Sequence, residues 1–131
     1  MGCDIHWCLE VKAKEGWVGL LQSSGSASPA ADRNYRFFAE LAGVRAYDDE
    51  VYPEPRGLPD DISSLTRFAF EIGSWDHSHS WCSVEEFVSA YNLAASKWTP
   101  PGEPLCKERL FGFNYWPPND EEARVVFAFD N

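Results

Sequence analysis

Histidine and aspartate stand at close spacing in two places along this 131-residue sequence, and these clusters are where the chain could do chemistry. The first is Asp4-x-His6, and the second contains His77 and His79. Histidine is the commonest protein metal ligand and carries protons near neutral pH. If the clusters meet in space, these four side chains would bind zinc or another divalent cation, with an acid such as Asp130 as base. The spacing thus permits a metal-dependent hydrolase without being diagnostic of one.

The sequence after the second histidine cluster favours a different site, which would bind an anion at a helix N-terminus. Ser83 followed by Glu86 is a capping box, so a helix is expected to begin directly after a turn at 77–83. Free amide groups and the helix dipole favour phosphate at such an end. Arg56, on a proline-stiffened loop, is a natural second donor because its guanidinium matches phosphate oxygens. The competing interpretation is that Ser83 merely caps the helix and the histidines are solvated.

Aromatic residues are abundant and could provide a stacking surface beside the anion site. The chain has six Trp, nine Phe and five Tyr, and the rings expected at element ends are suited to stacking on nucleobases. In this interpretation no residue is catalytic and no cofactor is needed. The predicted ligand-binding residues are Asp4, His6, Arg56, Gly57, His77, His79, Ser80, Trp81, Trp116, Asp130 and Asn131.

The charge and the cysteines limit the class of partner and the compartment. A net charge of −10 argues against binding to duplex nucleic acid or to an anionic membrane, both of which need a basic face. A small anionic ligand is still allowed, because five arginines fall within one 35-residue stretch: Arg33, Arg36, Arg45, Arg56 and Arg67. The four cysteines form no C-x-x-C motif, and no leader pattern or membrane-length apolar run is present. We therefore expect a reduced, cytoplasmic protein.

Strands are predicted at both ends of the chain. Residues 3–12 alternate between apolar and polar, which predicts a strand with one buried face, and 17–21 complete a hairpin. Residues 105–116 and 123–131 are predicted to form a second pair of strands. The small residues of 22–32 predict a flexible loop.

Helical spacing predicts three short helices. The first is capped by Asp32 or Asn34 and stops at Gly43, the second runs between residues 61 and 73, and the third from about 84 to 95. Together with the strand pairs they predict a single α+β domain over residues 1–131. We expect an antiparallel sheet of about four strands, built from terminal hairpins, with about three helices packed on one face.

Four motifs resemble those of a family of small phage and prophage proteins that begin Met-Gly-Cys-Asp-Ile-His. They are MGCDIH, EPRGLPDD, HSHSW before a helix and RVVFAFDN, and the resemblance runs from residue 2 to residue 131. It implies a phage origin. Small accessory phage proteins often disarm host defences, and one recurrent strategy is to sequester the nucleotide signals that those defences use. The residues that the resemblance highlights are Cys3, Asp4, His6, Arg56, Gly57, Pro59, His79, Trp81, Asp130 and Asn131.

The residue patterns and the resemblance together predict a phage-encoded binder that sequesters a small phosphorylated, nucleotide-type immune signal in the bacterial cytoplasm. Tight, preformed pockets are common at subunit interfaces, so a homo-oligomer is expected. Two alternatives stay open. One is a metal-dependent hydrolase of a nucleotide or phosphoester, and the other is a structural or interaction module of a phage without a ligand.

Overall fold

The computed structural model describes residues 2–23, 28–111 and 122–130. The strands form one antiparallel sheet in the order β2-β1-β4-β3. The predicted α+β class with a four-stranded antiparallel sheet is confirmed. The elements, in chain order, are β1 (Asp4–Ala13), β2 (Gly16–Gln22), a 3₁₀ helix (Pro29–Ala31), α1 (Tyr35–Ala42), α2 (Ser64–Gly73), β3 (His77–Ser83), α3 (Val84–Ser96), α4 (Lys107–Phe111) and β4 (Ala123–Asp130).

Alternation along the central strands gives the sheet two buried faces. On the first face Trp7 and Phe127 lie in the main core, which α1 and α3 cover. On the second face Cys8 and Val126 pack against Phe70 of α2 in a smaller core. The placement of helices on one face therefore holds for α1 and α3, whereas α2 departs from it because its buried side faces the second core.

Side-chain caps fix where the three longer helices begin. The Asn34 side chain accepts a hydrogen bond from the Phe37 amide at the start of α1. Ser63 caps α2, and Ser83 with Glu86 forms the predicted capping box of α3. All three helices begin and end within three residues of their predicted positions. None of the described helices is long and apolar enough to cross a membrane.

The segment before α3 is a strand rather than the predicted turn. His77–Ser83 form β3, which pairs with β4 at the edge of the sheet. The pairing is irregular between His77 and Ser80, and Ser78 lies in the left-handed region with φ 58°. This local irregularity explains why polar residues that resemble a turn are accommodated within a strand.

The predicted strand over 105–116 is also wrong where the structure describes it. Lys107–Phe111 form the short helix α4, with Leu110 and Phe111 buried in the main core. Strand β4 pairs with β1 and β3, so β1–β2 is the one terminal hairpin of the described residues. The remainder of the predicted strand, from residue 112, lies outside the described residues.

Part of the predicted flexible loop over 22–32 is ordered against the core. Pro29–Ala31 form a 3₁₀ helix in which Ala30 is fully buried. The Ser28 hydroxyl donates to the Leu110 carbonyl over 2.5 Å, which fixes this segment to α4. Residues 24–27 lie outside the described residues.

Candidate ligand-binding site

The two terminal strands lie side by side, as predicted, and gather three predicted site residues at one end of the sheet. Asp4 stands opposite Asp130 in the β1–β4 ladder. His6 Nε2 donates to Asp130 Oδ2 over 2.5 Å. Arg33 Nε donates to Asp4 Oδ1 over 2.6 Å, and this hydrogen bond lowers the pKa of Asp4. Each carboxylate therefore has its own basic partner.

Trp75 connects the first histidine cluster to the second. Its ring stacks on His6 with centroids 4.8 Å apart, and its carbonyl oxygen accepts from His79 Nε2 over 2.7 Å. His77 lies apart from this contact, with its ring 6.1 Å from that of Phe129 in the main core. Within residues 2–23, 28–111 and 122–130, no group of three His, Cys, Asp or Glu residues is placed to hold a metal ion. His6 and His79 thus contact the same residue, His6 through the Trp75 ring and His79 through the Trp75 carbonyl oxygen.

Arg56 lies beside β3 and the start of α3, where the sequence placed it. The Arg56 amide donates to Ser80 Oγ over 2.9 Å, and the Gly57 amide donates to the His79 carbonyl over 2.8 Å. These bonds hold the proline-rich loop along the outer edge of β3. The Arg56 guanidinium lies over the Trp81 ring at 5.0 Å and donates to the Trp81 carbonyl over 3.0 Å. Five predicted site residues are therefore brought together here.

The helix end that was predicted to bind phosphate already holds a carboxylate. Glu86 accepts from the Ser83 amide over 3.0 Å, and Arg56 donates to its two oxygens over 3.2 and 2.7 Å. The hydrogen bond from Arg56 holds the pKa of Glu86 at about 2. The capping interpretation thus describes this helix end. A guanidinium has five N–H donors and the described side-chain contacts of Arg56 use three, so Arg56 keeps donors for a further acceptor.

A cleft of about 800 Å³ opens beside Arg56 and Trp81. It also contains Trp17, whose ring has Arg124 at 4.0 Å and Lys12 at 5.3 Å. The tryptophan cleft, named for Trp17 and Trp81, falls within the size range of small-molecule sites. It combines two indole rings with three cationic side chains.

A buried ion pair fixes the floor of the tryptophan cleft. Arg124 Nε donates to Glu10 Oε1 over 2.7 Å, and Arg124 Nη1 donates to Asp61 Oδ1 over 2.8 Å. Glu10 is fully buried and also accepts from the amide of Ser63, the N-cap of α2. Asp61 in turn accepts from Trp17 Nε1 over 3.0 Å. One charge network therefore ties β1 and β4 to the loop before α2 and to one wall of the cleft.

A second, smaller cleft of about 370 Å³ lies between α1 and the segment 44–52. Lys97 on its rim is bonded to Glu40 and, over 3.2 Å, to Glu50. The tyrosine cleft is defined by Tyr35, Arg36, Arg45, Tyr47, Asp48 and Tyr52. None of these was among the predicted ligand-binding residues.

Several residues of the tryptophan cleft were not predicted. The alternation of β1 places Lys12 on the same strand face as His6. The alternation of β4 places Arg124 on the face opposite Val125 and Phe127. The sequence pattern therefore indicated the strand face of both cations. Nothing in the sequence indicates that Trp17 and Trp81 share a cleft, because 64 positions separate them and β1 and β4 lie between their strands. The predicted Trp116 and Asn131 lie outside the described residues.

No profile of a known protein family matches the chain, and neither does any curated protein or solved structure. The protein is therefore classified by its own fold and site. The chain is an acidic α+β protein whose four-stranded sheet carries a cleft lined by tryptophan and arginine.

Proposed function

We propose that this protein binds a small phosphorylated ligand of the nucleotide type in the tryptophan cleft and holds it without turnover. The observation that carries the proposal is the stacking of Arg56 on Trp81 at the edge of a cleft that also contains Trp17. Indole rings are sequence-tolerant stacking partners for nucleobases. Guanidinium groups bind phosphate oxygens through paired N–H donors.

The charges inside the cleft support an anionic ligand. Three cations line it against two acids, Asp60 and Asp61, although the whole chain has a net charge of −10. Lys12 forms no ion pair with any described residue, and its contact is with the Trp17 ring. Its ammonium group is therefore the cation most available to a phosphate, because Arg124 is ion-paired with Glu10 and Asp61. Arg56, which is ion-paired with Glu86, adds the N–H donors that its described contacts leave unused.

The resemblance to phage proteins supports a biological role for such binding. In an infected bacterial cytoplasm, a protein that holds a nucleotide-type immune signal would lower its free concentration and silence the response. Binding alone is sufficient for this role, and the geometry of the cleft supplies stacking and charge rather than a reactive group.

A thermal-shift screen with cyclic oligonucleotides and ADP-ribose derivatives tests this proposal. A ligand present at a hundred times its Kd should stabilise the fold by about 2.7 kcal/mol. Arg56→Ala should lose most of that shift, and Arg36→Ala in the tyrosine cleft is the matched control that should keep it. If no nucleotide raises Tm, the proposed function is wrong. If Arg36→Ala loses the shift and Arg56→Ala keeps it, the ligand lies in the tyrosine cleft instead.

A hydrolase is the second candidate, and the contact between His6 and Asp130 favours it. A carboxylate hydrogen-bonded to a histidine at 2.5 Å orients the imidazole as general bases require. Incubation of the same nucleotides with and without a chelator separates the two candidates. A hydrolase releases product, and the product disappears in His6→Ala, whereas a binder returns the nucleotide unchanged.

A further inference from the structure

Helix α2 carries an apolar stripe on its solvent side. Leu65, Phe68 and Ile72 are 52%, 57% and 68% exposed. Their spacing of three and then four residues places them on one side of the helix. The adjoining side of the helix, with Ala69 and Phe70, packs in the second core. The stripe is therefore a second apolar surface that the described fold does not use.

Strand β2 lies beside the stripe and forms one edge of the sheet. No described backbone group outside β1 hydrogen-bonds to β2, whereas the Gly57 amide covers the opposite edge at His79. Gly16–Gln22 contain no charged residue, and charges are a common means of protecting an edge strand from pairing. Among the described residues, nothing pairs with the outer edge of β2, which is thus open to a further strand.

Helix α2 lies directly over this open edge. Leu65 is so close to β2 that a Cβ on Gly19 would lie 3.3 Å from the Leu65 Cβ. Leu20, which is 41% exposed, lines the same small hollow as Leu65. The edge strand and the apolar stripe therefore form one continuous surface.

We propose that a second copy of this chain covers that surface. In the proposed dimer β2 pairs antiparallel with β2 of the second copy, and α2 packs antiparallel on α2 of the second copy. A two-fold axis perpendicular to the sheet generates both contacts, since α2 lies over β2. The stripe suits this symmetry: Phe68 is central, and Leu65 of each copy meets Ile72 of the other.

The charges beside the stripe favour a second copy over an unrelated protein. Arg67 and Glu71 are exposed on the same flank of the stripe, and neither forms an ion pair with a described residue. Antiparallel packing centred near Phe68 brings Arg67 of each copy close to Glu71 of the other. Copies with a net charge of −10 repel one another, so a neutral strand flanked by self-complementary charges is the surface where they can meet.

Light scattering coupled to size exclusion tests the dimer. At about 100 µM the wild-type chain should elute with twice the mass of 14.8 kDa. Phe68→Glu should elute as a monomer with its circular dichroism unchanged, because Phe68 is exposed. Leu93→Glu, at a position on α3 that is 48% exposed, is the matched control and should stay dimeric. If Phe68→Glu unfolds, Leu20→Lys gives the same test at the edge strand.

A wild-type monomer at that concentration overturns the proposal. A dimer that survives a folded Phe68→Glu or Leu20→Lys variant overturns it as well.

A charge exchange tests the two-fold register. Arg67→Glu and Glu71→Arg should each weaken the dimer about tenfold, because both symmetric pairs become repulsive. The double variant should recover wild-type association. A mixture of the two single variants should form heterodimers in preference to either homodimer, since every pair is then of opposite sign. A mixture without that preference would show that the register is wrong.

Discussion

Replacing Glu10 by glutamine should lower the free energy of unfolding by about 3 kcal/mol. Glu10 is fully buried, and Arg124 is 7% exposed in its side chain, so the substitution leaves a buried guanidinium without its full counter-charge. Breaking a buried pair from one side costs about 3–5 kcal/mol. The lower end applies here because Asp61 still accepts from Arg124.

Urea unfolding followed by tryptophan fluorescence measures this loss. Asp60→Asn is the matched control, because it removes an exposed carboxylate from the same cleft and should change the free energy of unfolding by less than about 0.5 kcal/mol. Combining Glu10→Leu with Arg124→Met should recover most of the loss, since apolar residues can replace a buried pair. A loss below about 1 kcal/mol in Glu10→Gln would refute the view that this network holds the floor of the cleft.

Acidification should weaken the fold through Glu86. Its pKa is about 2 beside Arg56, against 4.5 for an ordinary glutamate, so its contribution is complete above the ordinary pKa and disappears as the pH falls towards 2. The loss should be about 1 kcal/mol, because both partners are nearly half exposed, and a Glu86→Gln variant that keeps the same acid sensitivity would contradict this. Native alkylation should modify Cys106, which is exposed, and intact mass should show a single adduct. A second adduct would contradict the burial of the other three thiols, Cys3, Cys8 and Cys82, of which Cys8 has its pKa raised by burial to about 12.

Local signals in the sequence predicted most of the elements. The alternation of β1 is visible because one face is apolar along its whole length. The beginning of α3 is visible because the side chains of Ser83 and Glu86 each accept a hydrogen bond from the backbone amide of the other residue, and both lie within four positions. Neither inference depends on distant parts of the chain. Strand β3 escaped prediction because its edge is satisfied by a distant loop: the Ser80 hydroxyl accepts from the Arg56 amide, 24 positions away, and the His79 carbonyl accepts from the Gly57 amide.

The candidate site was predictable in part, for the same reason. The meeting of His6 with Asp130 followed from the pairing of two recognisable strands. The partner of Arg56 did not, because Glu86 lies 30 positions away and its role as a cap gave no sign that it would also neutralise an arginine. Which face α2 would cover was equally hidden, since an apolar stripe shows that a helix is buried but not against which side of a sheet.

Recovery of the ligand from its complex tests binding without turnover most directly. A nucleotide that raises Tm is mixed with excess protein, freed of unbound compound, and released by heating for mass spectrometry. The account predicts one unaltered ligand per chain from the wild type and from Arg36→Ala, and little from Arg56→Ala. A hydrolysed product, or equal recovery from Arg56→Ala and the wild type, would contradict it.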